Sequence, residues 1–284
     1  MRWTPVETGL RFMTQKLSNS IQNIPNKRLS VQVSLTGLSF LVTNSSRSEV
    51  LLFSEKTYNK ARTPEELLLD IASFVRNDLG NVETVEAVKV IYSNTEYALV
   101  PSTLFDESKA SDYLKFNSKI LVNDYIAWDE VQNRELHVVY VPYVNVNNYL
   151  YETFGGFEYF HLASVMLNLI PSGNRFSETS EVFIYVDRSS FQMVIQRNGE
   201  LQLCNAYPYS TPEDFMYYVL FCFEQLELNP DSVKVNLLGM ITKNDPLFEI
   251  AYTYIRNIDF METTNQDLLI EDVLPHERVL LKSI

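Results

Sequence analysis

A chain of 284 residues that is 46% hydrophobic, with 17 tyrosines and 17 phenylalanines, has enough apolar surface to bury a core, which excludes a disordered protein. A formal net charge of −13 disfavours nucleic acid and anionic membrane as partners, because both demand a basic face. No apolar run approaches the roughly 18 residues of a membrane-spanning helix, and the opening stretch MRWTPVETGL lacks the apolar segment of a secretory signal. Cys204 and Cys222 fall in apolar segments, as reduced thiols do, so a cytoplasmic protein is expected.

Residues 1–27 carry Arg2, Arg11, Lys16 and Lys27 against Glu7 and read as an N-terminal surface arm. From Arg28 the pattern turns strand-like. Leu29, Val31, Val33 and Leu35 alternate with Ser30, Gln32 and Ser34, which predicts a half-buried strand. Thr36-Gly37 turns the chain into a second strand over 38–43, and a third follows over 49–54. Thr63-Pro64-Glu65-Glu66 then opens a helix: Thr63 caps it, Pro64 suits the first helical position and Glu66 completes a capping box. Strands are expected over 85–92 and 97–100, a helix over 108–116, and a hairpin of 120–128 with 136–143 around Gln132-Asn133-Arg134. A short helix over 145–154 stops at Gly155-Gly156, and 157–170 reads either as a strand entering a helix or as one buried helix. Pro171-Ser172-Gly173-Asn174 is the clearest boundary signal.

Beyond it lies a meander of three strands, 181–186, 191–196 and 200–206, with Gly199 supplying the positive φ of a tight turn. Val182, Ile184 and Val186 point to one face and Phe183 and Tyr185 to the other, so both faces need covering. Thr211-Pro212-Glu213-Asp214 repeats the earlier helix start, and the aromatics Tyr217, Tyr218, Phe221 and Phe223 fall at helical spacing, which favours core. A strand over 233–238, a helix over 245–256, a last strand over 258–262 and an acidic tail over 265–284 complete the chain.

The two halves correspond. Thr63-Pro64-Glu65-Glu66-Leu67 matches Thr211-Pro212-Glu213-Asp214-Phe215, and Val88-Lys89-Val90 matches Val233-Lys234-Val235. Each half reads strand, strand, strand, capped helix, strand, helix, an order that implies a mixed sheet with helices on its faces. In this order of elements the chain resembles the actin, sugar kinase and heat-shock chaperone superfamily, and most of all a small bacterial family assigned an actin-like ATPase fold. It is more distantly similar to the actin-like components of type IV pilus and type II secretion platforms. The resemblance implies an α/β fold of duplicated βββαβα actin-like (ribonuclease H-like) lobes with mixed sheets. The expected divisions are an arm over 1–27, a first lobe over 28–172, a second over 173–264 and the acidic tail over 265–284.

The resemblance also implies where nucleotide would bind: two Asp-x-Gly turns for phosphate and hydrated Mg²⁺, and a glycine pair on the adenine side. The matching residues are Thr36, Gly37 and Ser39 in the first turn, Asp187, Ser189 and Ser190 in the second, and Gly239 on the adenine side. Leu35 stands at the first aspartate position, Ser189 at the second glycine position, and Gly239 is a single glycine where a pair is expected. Asp187 reads first as a turn residue whose carboxylate accepts backbone N–H bonds, ahead of a phosphate or metal role, and Thr36-Gly37 is equally at home as plain turn chemistry. His137, His161 and His276 lack metal-type spacing and read as structural. The degraded turns favour a non-catalytic scaffold with no bound cofactor, acting through a protein partner, a basic one by charge. The alternative is an ATP- and Mg²⁺-binding switch or slow ATPase; a sugar kinase-like transferase would need a carboxylate base that the sequence does not place.

Overall fold

The structure is a computed structural model, and it describes residues 12–16, 21, 24–115, 124–171, 180–261 and 268–284. The elements in chain order are β1 (Phe12–Lys16), β2 (Lys27–Ser34), β3 (Gly37–Thr43), β4 (Val50–Thr57), α1 (Pro64–Phe74), β5 (Val85–Tyr92), β6 (Tyr97–Pro101), α2 (Ala110–Leu114), β7 (Ala127–Val131) and β8 (Leu136–Tyr140). There follow α3 (Val144–Phe154), β9 (Glu158–His161), α4 (Leu162–Leu169), β10 (Ser180–Val186), β11 (Ser190–Arg197), β12 (Glu200–Pro208), α5 (Pro212–Gln225), β13 (Lys234–Gly239), α6 (Pro246–Tyr254), β14 (Asn257–Phe260) and α7 (Val279–Ser283). The chain divides into two compact units, Met1–Val90 with Asn145–Glu158, and Ile91–Val144 with Tyr159–Ile284. Both units are discontinuous in sequence.

The first unit carries most of a six-stranded sheet in the order β1-β4-β3-β2-β5-β9. Alternation predicts a half-buried β2, yet Ser30, Gln32 and Ser34 are buried along with Leu29, Val31 and Val33. As an inner strand between β3 and β5, β2 is closed on both edges, and its polar positions are small or amide side chains that tolerate enclosure. β4 runs past the expected Ser54 to Thr57. Part of the expected surface arm is instead built into the unit: β1 pairs antiparallel with β4, and Lys27 is fully buried, its Nζ donating to the carbonyls of Ile21 (2.9 Å) and Leu79 (3.3 Å). A buried ammonium is tolerated only when carbonyls replace its water, as they do here. Helix α1 starts as the sequence predicts: Thr63 Oγ1 accepts the Glu66 N–H (3.3 Å) and Glu66 Oε2 accepts the Thr63 N–H (3.0 Å). Phe74 at its end stacks on Phe40 of β3 with ring centroids 3.9 Å apart.

The second unit holds a five-stranded sheet, β12-β11-β10-β13-β14, and a three-stranded sheet, β6-β8-β7. β10, β11 and β12 form the expected antiparallel meander, and β13 and β14 add in parallel. Asn198 and Gly199 both have positive φ (54° and 75°), which is the turn that a two-residue hairpin needs. β7 begins at Ala127, later than the strand expected from Ile120, and runs to Val131. Residues 120–123 of that expected strand, Ser172–Asn174 of the boundary signal, and Glu262 with residues 265–267 of the last strand and tail lie outside the described residues. The ambiguous stretch 157–170 is a strand entering a helix: β9 ends at His161, whose Nδ1 accepts the Ala163 N–H (3.1 Å) and caps α4. Helix α5 repeats the capping box of α1 with Thr211 and Asp214.

Two expectations need correction here. The acidic tail is core in part: Leu268 and Ile270 are buried near its start, and Val279, Leu280 and Leu281 of α7 are buried at its end, where no acid follows Glu277. The aromatics of α5 do not all face inward. Phe215, Val219, Cys222 and Phe223 join the core, while Tyr217 and Phe221 lie on the opposite face and are 62% and 45% exposed.

Candidate functional site

The first turn is the tip of the β2–β3 hairpin, where Ser34 pairs with Gly37 and leaves Leu35 and Thr36 at the apex. The segment after β4 clasps this apex. Arg62 N–H donates to the Leu35 carbonyl (2.7 Å) and Tyr58 N–H to the Thr36 carbonyl (3.0 Å). The Thr36 hydroxyl shares a hydrogen bond with Ser34 Oγ (3.3 Å), and Ser34 Oγ donates to the Gly37 carbonyl (3.1 Å). Lys56 pairs with Asp70, whose other oxygen accepts the Tyr58 hydroxyl (2.6 Å), while the Arg62 guanidinium sits over the Tyr58 ring at 5.2 Å. Ser39 is buried in β3, opposite Gln32 and Glu55. A Cβ on Gly37 would stand 3.2 Å from the Lys56 carbonyl oxygen, so the missing side chain leaves no open cradle.

The second turn joins β10 to β11. Asp187 N–H donates to the Ser190 carbonyl (2.9 Å). One carboxylate oxygen of Asp187 accepts the Arg188 N–H (2.8 Å) and the other accepts the Ser93 hydroxyl (3.1 Å). Tyr209 braces the same turn: its hydroxyl donates to the Asp187 carbonyl and its N–H to the Ser189 carbonyl. Ser189 is exposed and Ser190 half-buried, opening β11 opposite Pro208.

Gly239 ends β13 directly beside Val186, the residue before Asp187. Its N–H donates to the His276 carbonyl (2.9 Å), and the next N–H, of Met240, donates to the Val186 carbonyl (2.7 Å). With φ at +83°, a Cβ on Gly239 would overlap the Val186 carbonyl oxygen. The packing of one backbone on another is therefore enough to require the glycine.

The fold thus brings Asp187, Ser189, Ser190 and Gly239 to neighbouring strand ends of the second unit, and holds Thr36, Gly37 and Ser39 in one hairpin of the first. Sequence reasoning missed Ser93 and Tyr209, which hold the Asp187 turn. It also missed Tyr143, whose hydroxyl is buried without a hydrogen-bond partner among the described residues. Burial, then the charges of Glu96 and Asp187, raise the Tyr143 phenol above its ordinary range. Nothing local marks these residues, since Ser93 reaches Asp187 from 94 positions away.

Each of the three histidines is held by a hydrogen bond and a ring contact. His137 shares a hydrogen bond with Ser102 (3.2 Å) and stacks on Phe105. His161 is buried, with Nε2 on the Asn94 carbonyl (3.1 Å), and burial pushes its imidazole down to about 3. His276 reaches the Ile241 carbonyl (2.8 Å) and stacks on Phe260. The described residues contain no group of three or more His, Cys, Asp or Glu side chains placed to hold a metal ion. No helix among them is long and apolar enough to cross a membrane.

A three-stranded antiparallel meander, a capped helix and added parallel strands, with turns at the strand ends, define a mixed α/β protein of the actin-like ATPase fold. A crystal structure from Bacteroides thetaiotaomicron, of a protein with actin-like ATPase fold and unknown function, is similar over 94% of this chain and 98% of that one, with a TM-score of 0.72 and 16% identity. The chain belongs to the family described as "Protein of unknown function (DUF3822)", whose sequence profile matches residues 16–258. The PilM–PilN type IV pilus biogenesis complex is similar over 81% of this chain and 87% of the matched chain, with a TM-score of 0.51 and 11% identity. No curated protein matches the sequence.

Proposed function

We propose that this chain is a non-catalytic, cytoplasmic actin-like module that acts by holding a protein partner, with a degenerate nucleotide site. The observation that carries the reading is the first turn. Its apex offers Leu35 in place of a carboxylate, and both apex carbonyls are already taken by Arg62 and Tyr58. An apolar side chain cannot orient a water of Mg²⁺, and phosphoryl transfer in this fold rests on such positioning and charge neutralisation. The second turn keeps one carboxylate, but Asp187 is spent on the Arg188 N–H and the Ser93 hydroxyl. Gly239 serves strand packing. The residues present do not fit a Mg²⁺-nucleotide, and no catalytic step is derived for one.

The shared strand order β4-β3-β2-β5-β9 and β12-β11-β10-β13-β14, each meander followed by a Thr-Pro capping box, supports an internal duplication whose first copy has lost its carboxylate. That a similar fold occurs within a complex of two pilus-biogenesis proteins is in keeping with a role in protein contact.

A second reading, an ATP-binding switch, draws on one observation: the Tyr143 hydroxyl is buried without a hydrogen-bond partner among the described residues and lies within the influence of Asp187. Phosphate release from Mg²⁺-ATP separates the two. The scaffold reading expects wild type and Asp187→Ala to share the same background rate. Steady Mg²⁺-dependent release that disappears in Asp187→Ala establishes the switch and removes the scaffold.

A further inference from the structure

Helix α5 carries a pre-ordered aromatic ridge on its outer face. Tyr217 and Phe221, one helical turn apart, stack with centroids 6.2 Å apart and planes at 22°. Tyr218 meets Tyr217 edge-on at 5.3 Å and stacks on Tyr207 of β12 at 5.1 Å, and Tyr207 contacts Phe191 in the core at 5.4 Å. A train of rings therefore runs from the hydrophobic core to the surface and fixes the two outer members. The Tyr207 hydroxyl is itself held by a hydrogen bond with Cys222 Sγ (3.1 Å).

Large rings exposed in this way lose little conformational freedom on binding, and aromatic side chains dominate interface hot spots. Glu213 lies four residues before Tyr217 and Glu224 three residues after Phe221, so helical periodicity sets a carboxylate at each end of the ridge. Both are exposed, and neither makes an ion pair among the described residues. Opposite charge would find two carboxylates and two ring faces along about 16 Å of helix.

The geometry points to this face as a docking site for an arginine-bearing basic peptide segment of a partner protein. A guanidinium stacks on an aromatic face and pairs with a carboxylate through a planar fork, and lysine matches neither geometry as well. The chain's charge of −13 steers such a segment from solution. The inference deepens the proposal of a protein-contact role and rests on it.

The test uses fluorescence anisotropy of full-length protein with a labelled 12-residue peptide of alternating arginine and leucine, and with its lysine counterpart, at physiological salt. Saturable binding is expected, with the arginine peptide at least fivefold tighter. Tyr217→Ser with Phe221→Ser, and separately Glu213→Lys with Glu224→Lys, are each expected to weaken it at least tenfold, with melting temperatures checked alongside. Glu107→Lys with Glu152→Lys makes the same charge change at other exposed positions and is expected to weaken binding less than twofold. Equal loss in this control shows unspecific charge attraction and overturns the site. So does equal affinity for both peptides. Light scattering gives the remaining outcome: a dimer that Tyr217→Ser disperses assigns the face to a second copy of the chain and overturns the inference. If peptide binding fails while Asp187-dependent ATP turnover is absent, only this inference falls; if that turnover appears, the scaffold reading falls whatever the peptide does.

Discussion

Gly239 pairs with Val186 across two parallel strands while holding a φ of +83°, in contact too close for any side chain. A Cβ there would also stand 2.9 Å from the Val186 nitrogen, and both partners are backbone, so neither moves aside cheaply. Gly239→Ala is expected to lower unfolding free energy by about 3 kcal/mol or more, combining left-handed strain with overlap. Urea denaturation reads it. Unchanged stability would mean that the glycine serves something other than the β10–β13 junction.

Two touching groups contribute to the acid response with opposite sign. His161 is buried and its imidazole is pushed down to about 3, so its contribution is present above about pH 6.5 and is lost as pH falls toward 3. Asp129 accepts the His161 N–H, the Ser164 hydroxyl and the Tyr140 hydroxyl, yet desolvation outweighs these bonds and pushes its carboxyl up to about 6. The folded state therefore holds the Asp129 proton longer than the unfolded chain does, and that advantage is lost as pH rises from about 4 to 6. Relative to His161→Asn, wild type is expected to lose on the order of 3 kcal/mol between pH 7 and pH 4. Relative to Asp129→Asn, it is expected to gain about 2 kcal/mol over the same fall. Urea midpoints at the two values check both signs, and a shared sign rules out this assignment.

Local signals in the sequence carry their elements through to the structure. The Thr-Pro-Glu-Glu and Thr-Pro-Glu-Asp starts become capping boxes because cap, proline and acid act within one turn. Asn198-Gly199 becomes a tight turn for the same reason. What the sequence does not show is set at long range. Strand β1 exists by pairing with β4 some 40 residues later, and its own residues do not alternate. The carboxylate of Asp187 is visible as a turn residue, whereas its Ser93 and Tyr209 partners come from other elements. Tyr217 and Phe221 share a periodic pattern with buried rings, and periodicity alone does not say which arc of a helix stays wet.

Removing either cap should expose its helix start. Thr63→Ala and Thr211→Ala are each expected to cost about 1 kcal/mol, with Ser in place of Thr restoring most of it. Amide exchange localises the loss to α1 or α5. A loss spread evenly over both units instead would show that they unfold as one.

The C-terminal helix is expected to behave as core. Leu281 is fully buried, and the same segment supplies the His276 carbonyl that accepts the Gly239 N–H. Leu281→Ala should lower stability by about 2–5 kcal/mol, as for other buried leucines. A change below about 0.5 kcal/mol, the range of exposed positions, would return this segment to the status of a tail.

The decisive substitution for the nucleotide question restores what the first turn lacks. If Leu35 were the sole defect, Leu35→Asp would supply a carboxylate, and a transition-state contribution of several kcal/mol would return as a rate gain of a hundredfold or more. The structure argues against that result. The Leu35 and Thr36 carbonyls are bound to Arg62 and Tyr58, Gly37 fills against the Lys56 carbonyl, and Arg62 lies over Tyr58, so the apex is closed by its own unit. In the other unit, Asp187 is already engaged and Ser189 adds a Cβ where a glycine would let backbone approach phosphate. Leu35→Asp is therefore expected to leave Mg²⁺-dependent phosphate release at the background of Asp187→Ala. Release that rises in Leu35→Asp and vanishes in Leu35→Asp with Asp187→Ala would show an intact site silenced by one residue, and the chain would then be a recently disabled ATPase in place of a scaffold.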